Sequence, residues 1–118
     1  MLIVNILQFR FLQNHFTSTI SLGGWGGCKT CSEAFPTRQG RSEFVASLKV
    51  LMKQFGADGI DMDWEYPAIE GYPGHPFAKV DKTNFTFLVQ ELRRTLGERA
   101  IISFAAGGFK EFMDQSIK

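Results

Sequence analysis

Within Asp58-Gly59-Ile60-Asp61-Met62-Asp63-Trp64-Glu65, three acidic residues, Asp61, Asp63 and Glu65, stand at every second position of a run that otherwise reads as a buried strand. Side chains at i, i+2 and i+4 of a strand share one face. Asp61, Asp63 and Glu65 therefore point one way, with small Gly59 below them, and Ile60, Met62 and Trp64 point the other. The apolar back asks for a cover of helices, as in a parallel sheet. Three ionisable groups in line on the interior face are costly to desolvate, and they repel one another. A chain that only had to fold would carry Val or Ile there, so the row points to catalysis.

The flanking segments supply the cover. Phe44, Val45, Leu48, Leu51, Met52 and Phe55 recur at helical spacing, with Ser42 as the expected N-cap, Glu43 in the first turn and Gly56 as a left-handed stop. Asp81 is expected to cap a second helix, whose apolar face is Phe85, Leu88, Val89, Leu92 and Leu96 and whose end is Gly97. Thr17–Leu22 and Ala100–Ala106 read as strands closed by glycine pairs, and the acidic strand spans Ala57–Glu65. Residues 3–14 suit a helix, although Val4, Ile6 and Phe9 also suit a strand. Trp25–Gly40 and Tyr66–Lys79 read as loops, and unstructured loops as long as the second are commonly functional. The order strand–helix–strand–helix–strand makes an α/β architecture with parallel crossovers. Functional-looking residues gather at the C-terminal ends of the strands, which favours a piece of a barrel over an open sheet.

At 118 residues the chain is long enough for a real core. A net charge of +1 with interspersed signs gives no support to a nucleic-acid or polybasic-membrane partner. No apolar run is long enough to span a bilayer. Met1–Arg10 has no basic start and no small-residue cleavage site, so it makes a poor signal peptide. Cys28 and Cys31 form a C-x-x-C without ligand-like spacing to His15 or His75, so they read as a loop disulfide or two inert thiols rather than a metal site. The D-x-D start of a calcium loop fails, because Tyr66 and Tyr72 stand where such a loop needs glycine and glutamate. Asn84-Phe85-Thr86 is a glycosylation sequon, though one placed in a helix.

The acidic motif, followed by Tyr66-Pro67, resembles the signature of the family-18 glycoside hydrolases, the chitinases and their relatives. Ser21-Leu22-Gly23-Gly24-Trp25, one helix upstream, resembles the second signature of that family. The resemblance runs from about Thr17 to Gly108. It implies an α/β fold, a fragment of a (β/α)8 TIM barrel comprising about strands 3 to 5 with their helices, and places residues 1–118 in one partial catalytic domain. It implies a chitin or β-1,4-linked N-acetylglucosamine oligomer as substrate, and retaining, substrate-assisted hydrolysis with no metal or organic cofactor. Glu65 matches the general acid/base, Asp63 the residue that holds the acetamido group, and Asp61 its deeper partner. Tyr66 and Trp25 match positions lining the cleft, Trp25 as a sugar-stacking indole or a packed loop residue. Ser21 either supports the acidic network or is an ordinary small core residue. Retention of the acid argues against a non-catalytic chitin- or glycan-binding fragment, which stands as the alternative beside an endo-N-acetylglucosaminidase. A complete barrel needs eight strands and about 250 residues, so activity is expected of the complete barrel and not of this stretch alone. The resemblance also implies an extracellular parent protein.

Overall fold

The computed structural model describes Val4, Asn5 and residues 16–117. Among these, eight elements follow in order: β1 (Val4–Asn5), β2 (Thr19–Gly23), α1 (Cys31–Ala34), α2 (Arg38–Phe55), β3 (Gly59–Asp63), α3 (Asp81–Leu96), β4 (Ile101–Phe104) and α4 (Lys110–Gln115). The strands form one sheet in the order β1-β2-β3-β4. The expected parallel trio is present, with Ser21 opposite Asp61 and Asp61 opposite Ser103. β1 adds a short antiparallel edge against β2. The helix expected over residues 3–14 is thus corrected at Val4 and Asn5, which are strand; the rest of that span lies outside the described residues. On the far side, among the described residues, β4 pairs only with β3.

Helices α2 and α3 cover the apolar back of the sheet. Val45, Leu48, Phe85, Leu88 and Leu92 are buried against Ile20, Leu22, Ile60, Met62 and Trp64. Full burial of each such side chain stabilises by about 1.5–3 kcal/mol. Phe35, Trp64 and Phe85 stack through this layer, with ring centroids 5.6 and 6.0 Å apart. The alternation in β3 is as its sequence requires: Ile60, Met62 and Trp64 are buried, while Asp61, Asp63 and Glu65 are half-exposed on the other face.

The ends of several elements differ from expectation. α2 begins one turn before Ser42, at Arg38, capped by Thr37, whose hydroxyl accepts the Gly40 N–H at 3.0 Å. Glu43 therefore lies beyond the first turn. The Trp25–Gly40 stretch is only partly loop, because it also holds α1. A Thr followed by polar residues carries as good a capping signal as Ser42, and sequence spacing does not choose between them. Gly56 does take the left-handed cap, at φ 64°. Asp81 is the first residue of α3 rather than its cap, and its carboxylate bonds outside the helix. Asn84 lies on the core face of α3 and is 5% exposed, so its sequon is closed to a glycosylating enzyme in this fold. Cys28 and Cys31 are disulfide-bonded. No helix among the described residues is long and apolar enough to cross a membrane.

Gly59 shows how tightly the strands meet. A β-carbon there would stand 2.0 Å from the Ile101 carbonyl oxygen, so any side chain at the foot of the acidic row collides with β4. At the other end of the row, Gly23 has φ 114°, and a β-carbon would stand 2.2 Å from the Asp63 carbonyl oxygen. Only glycine adopts that conformation readily. It lets the chain turn across the top of β3, where the Gly24 N–H donates to the Asp63 carbonyl at 2.8 Å.

Candidate active site

The sheet brings the acidic row together with hydroxyls from both neighbouring strands. Ser21 Oγ donates to Asp61 Oδ2 at 3.2 Å, and Ser103 Oγ donates to Asp61 Oδ1 at 2.7 Å. Asp61 is thus pinned from both sides, at one level of the sheet. Ser21 therefore touches the acidic row through Asp61. Ser103 was not singled out from the sequence. Its signal was a lone hydroxyl inside Ile101-Ile102-Ser103-Phe104, and it acquires meaning only once the register with Asp61 is known.

Asp63 stands one step further up. Its Oδ1 is buried without a hydrogen-bond partner among the described residues, and the open side of Gly24 lies beside Oδ2. Glu65 follows just past the end of β3. Burial raises the proton affinity of Glu65 above the ordinary carboxylate value of 4.5, and the hydrogen bond and charge of Asp63 raise it further. The Tyr66 hydroxyl, bonding to the carboxylate, works the other way. The Tyr66 phenol is itself pushed up, first by burial and then by the charges of Glu65 and Asp63. A carboxyl of raised proton affinity beside a second carboxyl is suited to general acid and base work.

An aromatic wall borders this row. Tyr66 packs edge-on to Phe109 and Phe112, with centroids 5.4 and 5.5 Å away. The Trp25 ring lies 6.5 Å from Tyr66 and 5.7 Å from Tyr72, and remains 57% exposed. Exposed indole and phenol faces beside a polar cleft suit the apolar face of a pyranose ring. Phe109 was invisible in sequence, since it belongs to a segment with no pattern of its own. Asp63, Glu65, Tyr66 and Trp25 lie at or just past the C-terminal ends of β2 and β3, while Ser21 and Asp61 pair at mid-strand below them.

The family model for glycosyl hydrolases family 18 matches residues 3–117. The chain is 32% identical over 113 residues to Chitinase A1 of Niallia circulans, covering 87% of this chain and 16% of that protein. Among solved structures it resembles the chitinase domain of the spore coat protein CotE from Clostridium difficile, with TM-score 0.80 and 30% identity over 86% of this chain and 29% of that one. It also resembles catalytic domain 2 of the Ostrinia furnacalis Group II chitinase, solved as a mutant in complex with penta-N-acetylchitooctaose (NAG)5. That match has TM-score 0.77 and 29% identity, over 86% of this chain and 27% of that one. The chain therefore spans a sixth to less than a third of the length of these three relatives, and its three parallel strands with their helices are an arc of their barrel. By sequence, by the order of its motifs and by its fold, this chain belongs to the family-18 glycosyl hydrolases.

Proposed function

We propose that this chain carries the acid–base centre of a chitinase-type glycosidase, acting on chitin or β-1,4-linked N-acetylglucosamine oligomers. One observation carries the reading: three carboxyls in a row on the open side of β3 and just past its end, the outermost of which, Glu65, has its proton affinity raised by burial and by Asp63. Glu65 donates a proton to the leaving glycosidic oxygen and later takes one from water. Asp63, with an oxygen free of protein donors, receives the acetamido N–H of the sugar. The acetamido carbonyl then attacks C1, closing an oxazolinium ring as the bond to the leaving oxygen breaks. Asp61, pinned between two serines, supports Asp63 from below. Residues 1–118 are read as one part of the catalytic domain, and the turnover belongs to a complete barrel carrying this segment. A purely glycan-binding role is less well supported, since binding has no use for a carboxyl of raised proton affinity at the strand end.

Substrate assistance is tested with an oxazoline-like thiazoline inhibitor. A complete barrel carrying this segment is expected to bind it tightly, and Asp63→Asn to weaken that binding by at least about tenfold, the worth of a hydrogen bond to a charged group. Tight binding indifferent to the substitution, or none in either protein, defeats this mechanism.

Tyr66 gives a second handle, with a defined sign. Its hydroxyl favours the ionised form of Glu65. Tyr66→Phe removes that donor and lets Glu65 hold its proton to higher pH. The high-pH limb of the kcat profile, where the acid is lost, is expected to move upward. A limb that stays put or moves down separates Tyr66 from Glu65.

A further inference from the structure

The C-x-x-C pair and the buried carboxylate of Asp81 take no part in the chemistry above, yet they meet beneath the aromatic wall. Trp25 stands on the loop that leads to Cys28, and the disulfide closes Cys28 onto Cys31 at the head of α1. Cys31 is buried in the core, and the next residue, Ser32, donates through Oγ to Asp81 Oδ2 at 2.7 Å. That same oxygen accepts the N–H of Ala78 at 2.7 Å. Ala78 belongs to the second loop, whose Tyr72 meets Trp25 edge-to-face at 5.7 Å. The two loops are thus joined twice, at their tips by the rings and at their bases through Asp81.

Asp81 is fully buried, and a buried carboxylate is costly unless donors compensate it. The simpler role, capping α3, does not account for its bonds. Both donors come from outside the helix, while the Thr83 and Asn84 amides bond instead to the Val80 carbonyl. Both bonds fall on Oδ2 and tie α1 to the end of the second loop, while Oδ1 has no partner among the described residues.

We propose that Asp81, Ser32 and the Cys28–Cys31 disulfide form a brace that positions the Trp25–Tyr72 wall for the sugar chain. This rests on the reading of that wall as sugar-binding. The brace touches neither substrate nor reacting atoms, so its members are positioning residues. Loosening it disorders the wall and leaves the acidic row intact.

The test uses a complete barrel carrying this segment, with the pentamer of N-acetylglucosamine as substrate. Ser32→Ala, and separately a dithiol reductant, are each expected to raise KM by about three- to tenfold and leave kcat within about twofold. The reductant becomes its own cyclic disulfide as Cys28 and Cys31 each gain a hydrogen. Asp81→Ala has the same direction; because it also empties a buried site, Ser32→Ala and reduction decide the matter if that variant does not fold. Trp25→Ala supplies the reference. Combined with Ser32→Ala it is expected to cost no more than Trp25→Ala alone, because there is no longer an indole to position. If Trp25→Ala raises KM while Ser32→Ala and reduction do not, the brace is overturned and the sugar wall stands. Full additivity, or a loss confined to kcat, also overturns it, by showing a merely structural role. If Trp25→Ala leaves KM unchanged, the wall reading fails and the brace fails with it.

Discussion

Turnover of N-acetylglucosamine oligomers is expected to fall by at least about a hundredfold when Glu65 becomes glutamine in a complete barrel carrying this segment. Glutamine keeps the length and shape of the side chain and can still accept a hydrogen bond from Tyr66. It has no proton to release to the leaving oxygen. Burial and the neighbouring Asp63 raise the proton affinity of Glu65, and the substitution removes the ionisable group without disturbing either. Substrate affinity is expected to stay nearly constant, since the loss falls on the transition state alone. Activity within a few-fold of the unaltered protein removes Glu65 from the role of acid.

The largest effect on the fold is expected at Gly59. Gly59→Ala places a methyl group 2.0 Å from the Ile101 carbonyl oxygen, which is backbone and has no rotamer by which to retreat. Relief requires β4 to move away from β3 along the ladder that pairs Gly59 with Ile101 and Asp61 with Ser103. Overpacking of this kind costs on the order of 3 kcal/mol or more, to be read as a drop in the denaturant midpoint at unchanged slope. A midpoint shift below about 1 kcal/mol means that the strands have slack the structure does not show.

The sequence made the strand faces legible and left the joins obscure. Alternation in residues 59–65 gave the face of each carboxyl, and the apolar stripes of α2 and α3 gave the cover, because both follow from backbone periodicity. Gly56 and Gly97 were readable as helix stops for the same reason. The start of α2 was not, since Thr37 and Ser42 offer equivalent caps and only tertiary packing selects between them. Asp81 misled in an instructive way: an aspartate at a helix start is ordinarily a cap, and nothing local announces that its partners are Ser32 and Ala78. Ser103 and Phe109 became part of the site through strand register and loop packing, which single-chain periodicity does not encode. The roles proposed for Glu65, Asp63 and Asp61 come from motif resemblance, and the geometry adds the two serine bonds of Asp61 and the setting that raises the proton affinity of Glu65.

The hydrogen bonds of Asp61 reach residues 40 positions before it and 42 after it. A strand that slips by one residue turns every side chain to the opposite face. Such a slip in β2 would present Ile20 or Leu22 to Asp61 in place of Ser21, and one in β4 would present Ile102 or Phe104 in place of Ser103. The slipped strand would turn its apolar residues away from the helices and, at the same time, take a hydroxyl donor from Asp61. The polar rung at Asp61 thus acts as a proofreading mark for assembly, tolerating one alignment of three distant segments and penalising its nearest neighbours.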